Sequence, residues 1–121
     1  MNASLKKSIE TRSYKGLLYE RYPSKKLLTW NEAMDYAKKL SEDTNENWRL
    51  ASIEELQKLF TKENRRYIKD MHHIWSETEE SFHTAWVMDY EQNFYYLRNK
   101  NFKFRVLCVR DTVLKRSIKF F

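Results

Sequence analysis

The stretch "NWRLASIEELQKLF", residues 47–60, joins a polar lead-in and a Trp48-Arg49 pair to the opening of a helix. Ser52 and Glu55 stand at the spacing of a capping box, in which the hydroxyl accepts a first-turn N–H and the carboxylate reaches back to the cap N–H. Ile53, Leu56, Leu59 and Phe60 follow as an apolar stripe at helical period. The same device opens "TWNEAMDYAKKL", where Thr29 and Glu32 form the box and Trp30, Ala33, Met34, Ala37 and Leu40 fall on one face. Two helices are expected, each with a start signal and a buried side, joined by the polar run "SEDTNEN" at 41–47.

From residue 84 the period changes to two. "TAWVMDY" puts Trp86, Met88 and Tyr90 on one side and Ala85, Val87 and Asp89 on the other. "FYYLR" is short and aromatic, and "FRVLCVR" alternates Phe104, Val106 and Cys108 against Arg105, Leu107 and Val109. Three strands follow, separated by "EQN" and "NKN", connections short enough to favour antiparallel hairpins. "KGLLYERY" at 15–22 reads as an added edge strand. Residues 61–83 show neither period and read as a surface segment, while the tail "DTVLKRSIKFF" alternates too weakly to be assigned.

With 121 residues the chain fits a single domain, and 16% aromatic residues are enough to fill a core. One Gly and one Pro leave most tight turns to Asn, Asp and Ser. Cys108 is the single cysteine, so no internal disulfide can form. No stretch reaches the roughly 20 apolar residues of a membrane span, and the opening residues lack the apolar run of a secretory signal. With Met1 as the native start, a cytoplasmic location is expected; a leader upstream of Met1 would instead imply a surface or secreted protein. Net charge is +6, unevenly spread. Residues 1–39 hold nine Lys/Arg and four Asp/Glu, residues 40–97 six and twelve, and residues 98–121 eight and one. Basic ends attract polyanions, which makes acidic proteins, anionic glycans and nucleic acid partner classes to weigh.

The order of five blocks resembles a known family. "GLLYERYPSKKLLTWNEAMDYAKKL", "NWRLASIEELQKLF", "IWSETEES", "AWVMDY" and "FRVLCVR" are similar to the Lcl C-terminal domain, from a bacterial collagen-like adhesin, and its relatives. The resemblance covers about residues 15–110, with 1–14 and 111–121 as extensions of one domain spanning 1–121. It implies an α+β, C-type-lectin-like fold, two helices packed on a small twisted, mostly antiparallel sheet, also seen in formylglycine-generating enzymes and in the variable proteins of diversity-generating retroelements. It also implies that Trp30, Trp48, Arg49, Trp75, Trp86, Cys108 and Arg110 are structural signature residues, with Trp48 and Arg49 anchoring the second helix and the guanidinium bonding backbone carbonyls. The chain departs from the pattern at Ala51 for Pro, at Glu77 after Ser76, at Ala37 where relatives often carry Cys, and in its scarcity of Gly.

Reactive groups are sparse. Cys108 shares a face with Val106 and Phe104 and is expected to point inward, and formylglycine chemistry needs paired cysteines. Glu77, Glu79 and Glu80 read as a surface acidic loop. His72, His73 and His83 match no zinc spacing, and adjacent histidines diverge on either a helix or a strand, so no metal and no cofactor is expected. Nothing resembles the carboxylate-and-amide loop of calcium-dependent sugar binding. A non-catalytic binding module is therefore expected, with Tyr95, Tyr96, Arg98, Asn99, Lys100, Asn101 and Lys103 of "NFYYLRNKNFKFR" as the ligand-binding residues. The partner would be a protein or an anionic glycan, the family's adhesins pointing to sulfated glycan. The alternative is an intracellular interaction or regulatory domain, and nucleic acid rests on charge alone. Oligomeric state is not legible.

Overall fold

The computed structural model describes residues 9–59 and 72–112. Strands β1 (Thr11–Tyr14) and β2 (Leu17–Glu20) precede helix α1 (Trp30–Thr44), strand β3 (Arg49–Leu50) and helix α2 (Ile53–Leu59). Strands β4 (His73–Glu79), β5 (Thr84–Asp89), β6 (Phe94–Asn99), β7 (Arg105–Val106) and β8 (Cys108–Asp111) complete the described chain. They form two four-stranded sheets, β1-β2-β8-β3 and β6-β5-β4-β7. Among the described residues only the β4–β7 pairing is parallel.

Both helices start where their capping boxes place them. Thr29 Oγ1 accepts the Glu32 N–H and the Glu32 carboxylate accepts the Thr29 N–H, while Ser52 and Glu55 repeat the exchange at 3.1 and 2.9 Å. The carboxyl of Glu32 is held below its usual range, chiefly by that backbone bond. Helix α1 runs four residues past its expected end, into the polar run, as Thr44 buries its side chain on the inner face with its hydroxyl satisfied by the Leu40 carbonyl at 2.7 Å. Asn45, in the left-handed conformation, ends it. The buried stripe is Trp30, Ala33, Ala37, Leu40 and Thr44. Met34 lies at its edge and is 39% exposed, contrary to the expected inward placement. Phe60, expected on the stripe of α2, lies outside the described residues, as does the tail from residue 113.

Strand alternation divides two cores between the helices. Ala85, Val87, Trp75, Val106 and Cys108 pack with Trp30, Ala33, Ala37 and Leu40 of α1. Met88, Tyr90, Ile74, Leu107 and Val109 pack with Ile53, Leu56 and Leu59 of α2. The predicted alternation of 84–90 and 104–110 is thus correct, with both faces buried rather than one.

Several strand expectations need correction. "FRVLCVR" is not one strand: Arg105 and Val106 pair with β4 and Cys108–Asp111 pairs with β2 and β3, so one alternating run ties the two sheets together. The β5–β6 hairpin forms, but β7 does not pair with β6. Strand β2 is interior, flanked by β1 and β8, and the edge belongs to β1. The β1–β2 turn is Lys15-Gly16, both at positive φ, a conformation glycine supplies without steric cost. Within the segment read as surface, residues 73–79 form β4, whose Ile74, Trp75 and Ser76 are fully buried between β5 and β7. Residues 61–71 lie outside the described residues.

Candidate binding surface

Of the residues named for the scaffold, Trp30, Trp48, Trp75 and Cys108 are buried, while Arg49, Trp86 and Arg110 are partly exposed. Trp30 Nε1 donates to the Ser76 carbonyl and Trp75 Nε1 to the Leu28 carbonyl, each at 2.9 Å, so two indoles strap α1 and the residues just before it to β4 in opposite directions. Trp48 is 5% exposed, its backbone N–H donates to Ser41 Oγ at 2.8 Å, and Arg110 lies over its ring at 5.5 Å. Trp86 is half-buried against the α2-side core and Tyr95.

Arg49 does fasten the start of α2, though not mainly through carbonyls. It donates two bonds to the Glu55 carboxylate, at 2.8 and 2.9 Å, and one longer bond of 3.3 Å to the Leu50 carbonyl. Asp111 lies 3.6 Å and Glu77 3.9 Å away. A planar guanidinium fits a carboxylate two atoms to two, which a single carbonyl cannot match. The guanidinium hydrogen bonds hold Glu55 below the usual carboxylate range, whereas burial pushes Glu77 up. A second carboxylate ties the fold: buried Glu20 accepts the Cys108 N–H at 2.7 Å and the Tyr36 hydroxyl at 2.8 Å. Cys108 is fully buried, and burial, with Glu20 beside it, raises its pKa far from a thiolate's reactive range. Glu77 faces Arg49 while Glu79 pairs with Lys100.

The seven residues expected to bind ligand divide among three environments. β6 is an edge strand, and its alternation puts Tyr96 and Arg98 on one face with Phe94. There Arg98 lies 4.1 Å over the Tyr96 ring and 5.9 Å from the ring of Phe102, and Phe102 stacks on Phe104 at 6.4 Å. Phe94 is 44% and Phe102 52% exposed. Lys103, also exposed, acts on Glu32 in the first turn of α1 and helps hold it ionised. The Tyr96 hydroxyl bonds His73 Nδ1, and burial raises its pKa. Tyr95 turns to the other face and packs edge-on against Trp86 at 5.3 Å.

Asn99, Lys100 and Asn101 line a separate cleft of about 270 Å³ with Trp30, Glu79 and Phe82. Asn99 and Asn101 are exposed there. Lys100 is buried, its ammonium 4.1 Å over the Trp30 ring and paired with Glu79. The aromatic members Phe82, Phe94 and Phe102 were missed because exposed phenylalanines carry no period; their clustering around Arg98 and Lys100 emerges only from the fold.

Two helices, two small sheets and the crossover that joins them define a C-type-lectin-like domain. The Lcl C-terminal domain family matches residues 10–110, and the chain belongs to that family. Among solved structures it is similar to botrocetin at 13% identity and a TM-score of 0.61, over 84% of this chain and 95% of that one. EMS16, an antagonist of the collagen receptor integrin α2β1, is similar at 14% identity and a TM-score of 0.59, over 82% and 94%. The snake venom toxin convulxin is similar at 9% and 0.58, over 86% and 96%. No curated protein sequence matches the chain. Among the described residues no helix is long and apolar enough to cross a membrane.

Proposed function

We propose that this domain is a non-catalytic binding module that engages a protein partner through the β6 face and the loop behind it. The observation that carries the reading is the placement of Arg98 between Tyr96 and the exposed Phe102, with the exposed Phe94 against the Tyr96 ring. Aromatic rings and arginine are the side chains enriched in the centres of protein interfaces. Botrocetin, on the same scaffold, is seen in complex with the von Willebrand factor A1 domain, which supports a protein over a small ligand. The buried Cys108 and the separately paired Glu77 and Glu79 offer no assembled catalytic group.

The experiment is a pull-down from the native host with the immobilised domain, run beside Arg98→Ala/Phe102→Ala and beside a sulfated-glycan array. Both side chains are exposed, so the variant should keep its melting temperature and lose the captured protein. Capture that survives the double change sinks the surface. A glycan signal that collapses with salt and depends on Lys103 replaces the protein reading with an anionic glycan.

A further inference from the structure

A side-chain cluster at the start of β4 lies outside the β6 row and combines nitrogen and oxygen donors. His73 Nε2 stands 3.4 Å from Glu91 Oε1 and 3.9 Å from Asp89 Oδ1. His72 Nδ1 stands 3.5 Å from the other oxygen of Glu91. One donor atom each from His73, Asp89 and Glu91 fall within 4.8 Å of one another. In a tetrahedral site with bonds of about 2.0–2.1 Å, ligand atoms are roughly 3.3–3.4 Å apart. The 3.4 Å between His73 and Glu91 matches that spacing, the 3.9 Å to Asp89 is longer, and His72 meets the group through Glu91 alone, so Asp89 and His72 must draw in by side-chain rotation to complete the site.

The adjacent histidines converge for a reason the sequence hides. His72 is in neither a helix nor a strand: its φ of 59° places it in the left-handed region, where a non-glycine residue is uncommon. That twist lets both rings reach the same carboxylate. Each donor is also aimed from behind. The Tyr96 hydroxyl engages His73 Nδ1, so the tautomer with its proton on Nδ1 leaves the Nε2 lone pair free. Asp89 is buried and oriented by the N–H groups of Glu91 and Gln92, at 2.9 and 3.2 Å. Among the described residues no lysine or arginine pairs with Asp89 or Glu91, although the chain has 23 Lys and Arg against 17 Asp and Glu. Two carboxylates and two imidazoles are a donor set for a dication.

We propose that His73, Asp89 and Glu91, completed by His72, bind a late first-row divalent cation of the Zn²⁺ type. Mixed imidazole and carboxylate donors suit Zn²⁺, Co²⁺ or Ni²⁺, whereas Ca²⁺ and Mg²⁺ take oxygen ligands. The site adjoins the β6 face through Tyr96, but its test does not depend on that face binding a protein, and it revises the expectation of no metal.

Isothermal titration of the untagged, EDTA-treated chain with ZnCl₂ tests it. A saturable one-to-one isotherm is expected, with a melting temperature that rises with Zn²⁺ and not with Ca²⁺. Glu91→Gln and His72→Ala change half-exposed side chains and so should fold; each should weaken Zn²⁺ at least about 10-fold and abolish the thermal shift. His83→Ala should change neither. The proposal is overturned if no one-to-one isotherm is seen, if Glu91→Gln and His72→Ala bind like the unaltered chain, or if His83→Ala alone removes binding.

Discussion

Replacing Arg49 with Met keeps the aliphatic stem and removes the guanidinium that grips Glu55. Two charge-assisted bonds are lost, 2.8 and 2.9 Å long, between side chains that are 31% and 25% exposed. Breaking a fully buried pair costs about 3–5 kcal/mol and an exposed pair is worth about 0.2–1 kcal/mol. A half-open bidentate pair falls between, so the variant should lose about 2 kcal/mol, or roughly 8 °C in melting temperature for a domain of this size. The pH dependence sharpens the test. Glu55 has a folded pKa lowered first by its bond to Arg49, so its stabilisation is complete above the unfolded carboxylate pKa and is lost as pH falls through the lowered folded value. The stability gap between the two proteins should be widest at neutral pH and close on acidification. Calorimetric scans across pH measure it. An unaltered melting temperature together with lost partner capture would refute the structural role of Arg49.

Glu20→Gln leaves an amide oxygen for the Cys108 N–H and turns its NH₂ toward the Tyr36 hydroxyl oxygen, which can accept; two charge-assisted bonds become neutral ones, and the loss should be about 1–2 kcal/mol in urea unfolding. Lys100→Met removes an ammonium from the Trp30 face and from Glu79; since Glu79 is half exposed and can be rehydrated, the loss should be about 1 kcal/mol, read as a lower denaturant midpoint. Cys108, fully buried with its pKa raised, should resist a thiol reagent in the native state and react stoichiometrically once the chain is unfolded in denaturant.

Much of the scaffold was readable because its signals are local. Thr29 with Glu32 and Ser52 with Glu55 are complete devices within four residues, and both formed. The alternation of 84–90 and 104–110 fixed which side chains share a face, since strand period is a property of the backbone. Strand β4 escaped because its polar members are satisfied indoors: Ser76 donates to the Trp86 carbonyl at 2.8 Å and accepts the Thr78 N–H at 3.1 Å. A strand buried on both faces with such bonds shows no hydrophobic alternation. The partners of Arg49 and Glu20 lie across turns and sheets, 6 residues away for Glu55 and 88 for Cys108. The stretch 93–105 reads as one contact surface, but alternation sends Tyr95 to the opposite face from Tyr96, and Lys100 turns inward to Trp30. The convergence of His72 and His73 depends on one backbone angle.

The division between a stapled interior and an exposed recognition face is tested most directly by mapping backbone amide shifts of the ¹⁵N-labelled domain during titration with the protein it captures. Perturbations centred on Phe94, Tyr96, Arg98 and Phe102, with Trp48 and Arg49 silent, are predicted. Shifts centred on Trp48, Arg49 and Arg110, with β6 unmoved, would contradict it.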